Sequence, residues 1–85
     1  MTSVNPFIAV REDLGTNRGE IARATGVSAM TILQVEQGLI RRPITYSKAL
    51  ESMGLIESAS DILKRYGAWL AELQKESLKA IKARR

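Results

Sequence analysis

The chain of 85 residues contains no cysteine and no histidine. Without cysteine there is no disulfide to staple a small fold and no thiolate to bind zinc. Without histidine the commonest general base, metal ligand and pH switch are lost together. Carboxylate-only catalysis stays open in principle, but no pair of acids stands out. No catalytic residue is therefore assigned, and the chain is read as a non-enzyme with no cofactor and no metal site. No stretch approaches the roughly 20 apolar residues that a membrane helix needs. The run MTSVNPFIAV lacks a basic segment and a long apolar one, so it is not read as a secretory signal. A cytoplasmic setting without a membrane partner is the expectation. Strand-like alternation, internal repeats and low-complexity tracts are missing as well, which leaves an all-α reading.

What remains is a short basic chain, long enough for one domain with a modest core. Its net charge of +4 is unevenly placed. Residues 1–57 hold six basic and six acidic side chains, residues 58–85 seven and three. The excess lies in the last third, where it favours an anionic partner or simply marks a solvated helical face with a basic end.

Glycine and proline punctuate five expected helices. Pro6 marks the approach to the first, about Phe7 to Asp13, with Phe7, Ile8, Val10 and Leu14 as its apolar stripe and Gly15 as its stop. Asn17 caps the second, with Glu20 three residues on to close a capping box and Ile21 and Ala22 opening the apolar face. Gly26 ends that helix, Val27 is a buried turn residue, and Ser28 caps a third helix, about Ala29 to Gln37, stopped by Gly38. A loop through Pro43 leads to a fourth, with Ile44, Ala49, Leu50 and Met53 as candidate core. Leu55 and Ile56 bridge to a long last helix from about Asp61, capped by Ser58 or Ser60 and interrupted only by Gly67.

The second and third helices meet the demands of a helix-turn-helix unit. Ala22 is small where the two helices cross, Gly26 tolerates a positive φ in the turn, and Ile32 and Val35 face the core. The stretch VREDLGTNRGEIARATGVSAMTILQVEQGLIRRP resembles the lambda-repressor-like (Cro/XRE) helix-turn-helix family, which includes phage repressors and Cro proteins. The resemblance runs from Val10 to Pro43, and more loosely to Gly54. It rests on Arg11, Gly15, Ala22, Gly26, Val27, Ile32, Val35, Glu36, Gly38 and Pro43 together.

The resemblance implies a DNA-binding domain over residues 1–57 that reads double-stranded DNA as a phage- or plasmid-type transcription repressor. It implies that Arg11 pairs with Glu36, a bidentate contact suited to fixing the third helix. It also places the start of that helix in the major groove, with Ser28, Ala29, Met30, Leu33 and Gln34 at the base-contacting positions. At about 100° per residue, Ile32, Val35 and Glu36 share one face and Met30, Leu33, Gln34 and Gln37 the other. Gln34 can pair with adenine through two hydrogen bonds, and Ser28 can reach a base or a phosphate. Ala29, Met30 and Leu33 offer only apolar contact, chiefly to thymine methyls. The family's usual polar readers are replaced here, so the face implies an A/T-tilted site, a protein-binding surface, or incidental exposure. Asn17, Arg18, Arg41 and Arg42 stand where phosphate contacts are expected, with Thr16 and Thr45 as possible hydroxyl donors. Solvated loop charge is the plainer reading of Arg41 and Arg42.

Residues 58–85 form a long amphipathic basic segment in which Ile62, Tyr66, Trp69 and Leu73 recur at helical spacing. Leu63 and Leu70 widen the stripe, and Leu78 and Ile81 extend it less regularly. Ile62, Leu63 and Tyr66 are expected on the domain, and the residues after Leu73 beyond it. Trp69, Leu70 and Leu73 could form a homodimer interface, which suits a reader of two half-sites. The segment could instead dock another protein or fold back on its own core. Lys75, Lys79, Lys82, Arg84 and Arg85 could form a basic arm on nucleic acid alongside any of these. The rival to a DNA-reading regulator is a protein-interaction or assembly module, such as a DNA-packaging or replication accessory or an antitoxin.

Overall fold

Where the chain turns is decided by side-chain caps and left-handed glycines. The computed structural model describes residues 4–84, and these hold five α-helices and no strand. They are α1 (Pro6–Asp13), α2 (Arg18–Thr25), α3 (Ala29–Glu36), α4 (Ile44–Ser52) and α5 (Ala59–Ala83). Asn5 caps α1 by accepting from the Phe7 N–H, with Pro6 at a first-turn position where its missing N–H costs nothing. Asn17, Ser28 and Ser58 cap α2, α3 and α5 by accepting from the N–H groups of Glu20, Thr31 and Asp61. The cap at Asn17 is a variant of the expected box: the Glu20 carboxylate accepts from the Asn17 side-chain amide at 2.8 Å. Ser58 rather than Ser60 caps the last helix, which therefore starts two residues before Asp61. Gly26, at φ 75°, closes α2 by donating to the Ala22 carbonyl at 2.9 Å and turns the chain toward α3.

All five helices contribute to one core: Phe7 from α1, Ile21 from α2, Ile32 and Val35 from α3, Tyr46 and Leu50 from α4, and Ile62 and Tyr66 from α5. Burying each of the large apolar side chains contributes about 1.5–3 kcal/mol. Phe7 lies at the centre, stacked on Tyr46 at 5.2 Å and meeting Tyr66 edge-on at 5.2 Å. Val27 is half-buried against this core, while Leu14 of the expected first stripe is exposed.

The phase of α4 differs from the sequence expectation. Leu50 is buried as expected, but Ile44 and Met53, also read as core, are 39% and 47% exposed, and Tyr46 and Ser47 are buried in their place. The stacking of Tyr46 on Phe7 sets the rotation, and Ser47 tolerates burial because its hydroxyl donates to the Ile44 carbonyl at 2.8 Å. Burial above all, then the nearby Glu36 carboxylate, push the Tyr46 phenol up to about 12, with Arg11 opposing.

The first half of α5 belongs to the same core as residues 4–57. Ile62 and Tyr66 are fully buried, and Leu63, Trp69 and Leu70 pack against the cluster. From Leu73 to Arg84 every residue is exposed, so the helix runs on past the bundle. Its 25 residues span about 37 Å at 1.5 Å each, which accounts for much of the 47 Å long axis. Among the described residues no helix is long and apolar enough to cross a membrane. Gly67 lies inside α5 with nothing within 4 Å of where a Cβ would stand. The roughly 1 kcal/mol that glycine costs there relative to alanine is offset by no packing.

Gly38 is a different kind of glycine. It adopts φ 77°, and a Cβ on it would lie 3.0 Å from the Trp69 ring and 3.2 Å from Leu70. It lets the end of α3 sit against α5. Gly38→Ala is expected to cost about 2 kcal/mol in denaturant unfolding and to shift the fluorescence of Trp69, the only tryptophan. Gly26→Ala, which meets only open space, is expected to cost less and to leave that spectrum unchanged. Equal losses with no spectral shift would refute the close approach.

Candidate nucleic-acid interface

The C-terminal end of α3 is held by four side chains from other parts of the chain. Glu36, 5% exposed, accepts from Arg11 Nε at 2.7 Å and Nη2 at 3.0 Å, a bidentate pair. Arg18 Nε adds a third contact at 3.0 Å. The hydrogen bonds to Glu36 hold the Arg11 pKa above its ordinary value, against the opposing effect of its own burial. Asn5, buried at 2%, donates its amide to the carbonyls of Val35 and Glu36 at 3.2 and 3.1 Å. The Tyr66 hydroxyl lies 3.0 Å from the Val35 carbonyl and 2.6 Å from that of Ile40. Carbonyls that a helix end leaves without intrahelical partners are thus bonded by α1's cap and by α5.

At the other end, α3 is open. Ser28, Ala29 and Met30 are exposed there, Met30 at 63%, while Gln37 is exposed at the held end. Leu33 and Gln34 are half-buried beside them, whereas Ile32 and Val35 are fully buried on the opposite face. The Ser28 oxygen is occupied by capping: it accepts from the Thr31 N–H at 3.1 Å and lies 2.8 Å from the Thr31 hydroxyl.

The cations expected at phosphates divide into two groups. Arg41 and Arg42 are exposed on the segment between α3 and α4. Arg42 shares a hollow of about 330 Å³ with Ser28, Thr31 and Thr45, so it stands next to the start of α3. Asn17 and Arg18 are engaged elsewhere. Both ends of the Asn17 amide bond to Glu20, and Arg18 Nε bonds to Glu36, although the Arg18 side chain remains 45% exposed. The Thr16 hydroxyl bonds to the Arg11 carbonyl at 3.3 Å.

Trp69 and Leu70 of the expected dimer surface are half-buried on the chain's own core, with Trp69 tilted against Tyr66 at 5.6 Å. Leu73 is 38% exposed, and with Leu78 and Ile81 it borders a hollow that reaches Gly38. Lys75, Lys79, Lys82 and Arg84 of the expected basic arm are all exposed on α5, and Arg85 lies outside the described residues.

Sequence reasoning missed Asn5, the hydrogen bonding of the Tyr66 hydroxyl and the second role of Arg18. The Asn-Pro pair opening α1 carries a local capping signal. The tie from Asn5 to α3, 30 residues away, and that from Tyr66 leave no local signal because they exist only after packing. Comparison of the chain with known protein families, curated proteins and solved structures finds no match.

Glu36→Ala strands Arg11, whose side chain is 16% exposed, and removes the partner of Arg18. The expected loss in urea unfolding is about 3 kcal/mol, the low end for breaking a buried pair because both arginines can reach water. A loss below about 1 kcal/mol would mean that the pair does not hold α3.

Proposed function

We propose that the chain is a sequence-specific double-stranded-DNA-binding transcription regulator of the lambda-repressor-like helix-turn-helix kind, acting as a repressor and as a dimer. The observation that carries this reading is the asymmetry of α3. Its C-terminal end is fixed by Arg11, Arg18, Asn5 and Tyr66, while Ser28, Ala29 and Met30 at its N-terminal end are exposed and Arg42 borders the hollow beside them. A helix held at its tail and open at its head is suited to enter a major groove. Gln34 is the base reader in this account, paired with adenine, and Met30 and Leu33 lie against thymine methyls. Arg41 and Arg42 each neutralise a phosphate. The account involves no catalytic step and no cofactor. A second copy would supply the other half-site, and Leu73 with exposed Ile81 is the surface for it.

A second reading has its own observation. Met30 at 63% and Leu39 at 71% are exposed large apolar side chains at either end of α3. Such residues also suit a protein-binding face, and an assembly module on the same scaffold would use them that way.

The two readings separate on two substitutions. Gln34→Ala is expected to relax discrimination at one operator position by about 1–3 kcal/mol, with little loss on unrelated duplex. Arg42→Ala is expected to weaken all duplexes alike and to lower the salt slope by about one. Duplex titrations by fluorescence anisotropy read both. Unchanged binding in both variants would contradict the docking face.

A further inference from the structure

We propose that the cleft between the 39–43 segment and α5 is a second nucleic-acid contact, which takes the sugar–phosphate backbone of the duplex held by α3. The inference rests on the DNA-binding reading and extends it to a helix that reading leaves away from DNA. The cleft has a volume of about 520 Å³, and its charged lining is of one sign: Arg41, Arg42 and Lys64, with no carboxylate. Arg42 also borders the hollow at the start of α3, so the two surfaces are continuous.

Its lining includes Gly67 and Ala71 of α5. Gly67 has a left-handed φ nowhere to satisfy and no neighbour to avoid, so neither turn geometry nor internal packing accounts for it. The bare backbone at Gly67 leaves the cleft open to an incoming group. Gln74 at the far end adds a neutral hydrogen-bonding group.

Beyond the cleft the charge continues in register. Lys75 is 11 residues and Lys82 18 residues from Lys64. At about 100° per residue these spacings return to within roughly 20° of the same face, a row about 27 Å long. All three lysines are exposed, and among the described residues neither they nor Arg41 and Arg42 lie in an ion pair. Asp61 is turned about 60° from the row and pairs with Arg65 at 3.2 Å, and Glu72 and Glu76 lie roughly 80–120° round the helix. A single small anion would fill only the cleft, whereas a row of this length fits a polymer with regularly repeated charge.

The test uses the full chain, a fluorescent duplex of mixed sequence and a salt series. Gly67→Leu keeps every charge but fills the cleft, and Gly67→Ala strengthens the helix without filling it. Lys64→Gln removes one cation. Gly67→Leu is expected to weaken binding about tenfold, Lys64→Gln about fivefold with a salt slope lower by about one, and Gly67→Ala by less than about twofold. Circular dichroism melts at or above the wild-type midpoint for both Gly67 variants would show that the loss is not unfolding. Wild-type binding by Gly67→Leu and Lys64→Gln, with Arg42→Ala still weakened, would overturn the cleft and leave the DNA reading standing. No duplex binding by the wild type would overturn both. Competition by poly-glutamate as effective as unlabelled duplex would overturn the assignment of the cleft to nucleic acid.

Discussion

The buried carboxylate of Glu36 organises this molecule. It sits at the last residue of α3 with a bidentate bond to Arg11 and a third contact from Arg18, so it joins α1, α2 and α3 at one point. A carboxylate buried to 5% exposure is tolerable only because its charge is matched and its oxygens are bonded. The pair alone is a weak argument for stability, since a well-packed apolar substitute can do as well. Its value is geometric. Two planar guanidinium groups fix where the end of α3 can lie, and Asn5 and Tyr66 fix the same end through its backbone carbonyls.

That constraint places the rest. With its tail fixed and Ile32 and Val35 buried, α3 can present only the face bearing Met30, Leu33, Gln34 and Gln37, with Ser28 and Ala29 at its tip. The close approach of Gly38 to Trp69 seats the same tail against α5. The segment that follows carries Arg41 and Arg42 outward, between the start of α3 and the basic row of α5. The positions of the surface cations thus follow from contacts in which they take no part.

Much of the fold was legible because its signals are local. Asn17, Ser28 and Gly26 mark helix ends by short-range chemistry, and the inward pair Ile32–Val35 follows from helical spacing. Arg11 and Glu36 were legible only as part of a pattern of residues. The phase of α4 was not legible, because polarity ranks Ile44 and Met53 above Tyr46 and Ser47. Aromatic stacking on Phe7 and a local hydroxyl–carbonyl bond reverse that ranking, and both appear only in three dimensions. Of the expected surface, Ser28, Met30, Arg41 and Arg42 are exposed, and Arg42 borders the same hollow as Ser28. Asn17 and Arg18 carry internal duties that no spacing argument reveals.

The central claim is that the exposed face of α3 reads duplex sequence, and selection of bound duplexes from a random pool tests it most directly. The account predicts enrichment of an A/T-rich palindrome with half-sites about one helical turn apart, since Gln34 favours adenine and the apolar neighbours favour thymine methyls. A pool that emerges from repeated rounds with no enriched sequence would contradict it.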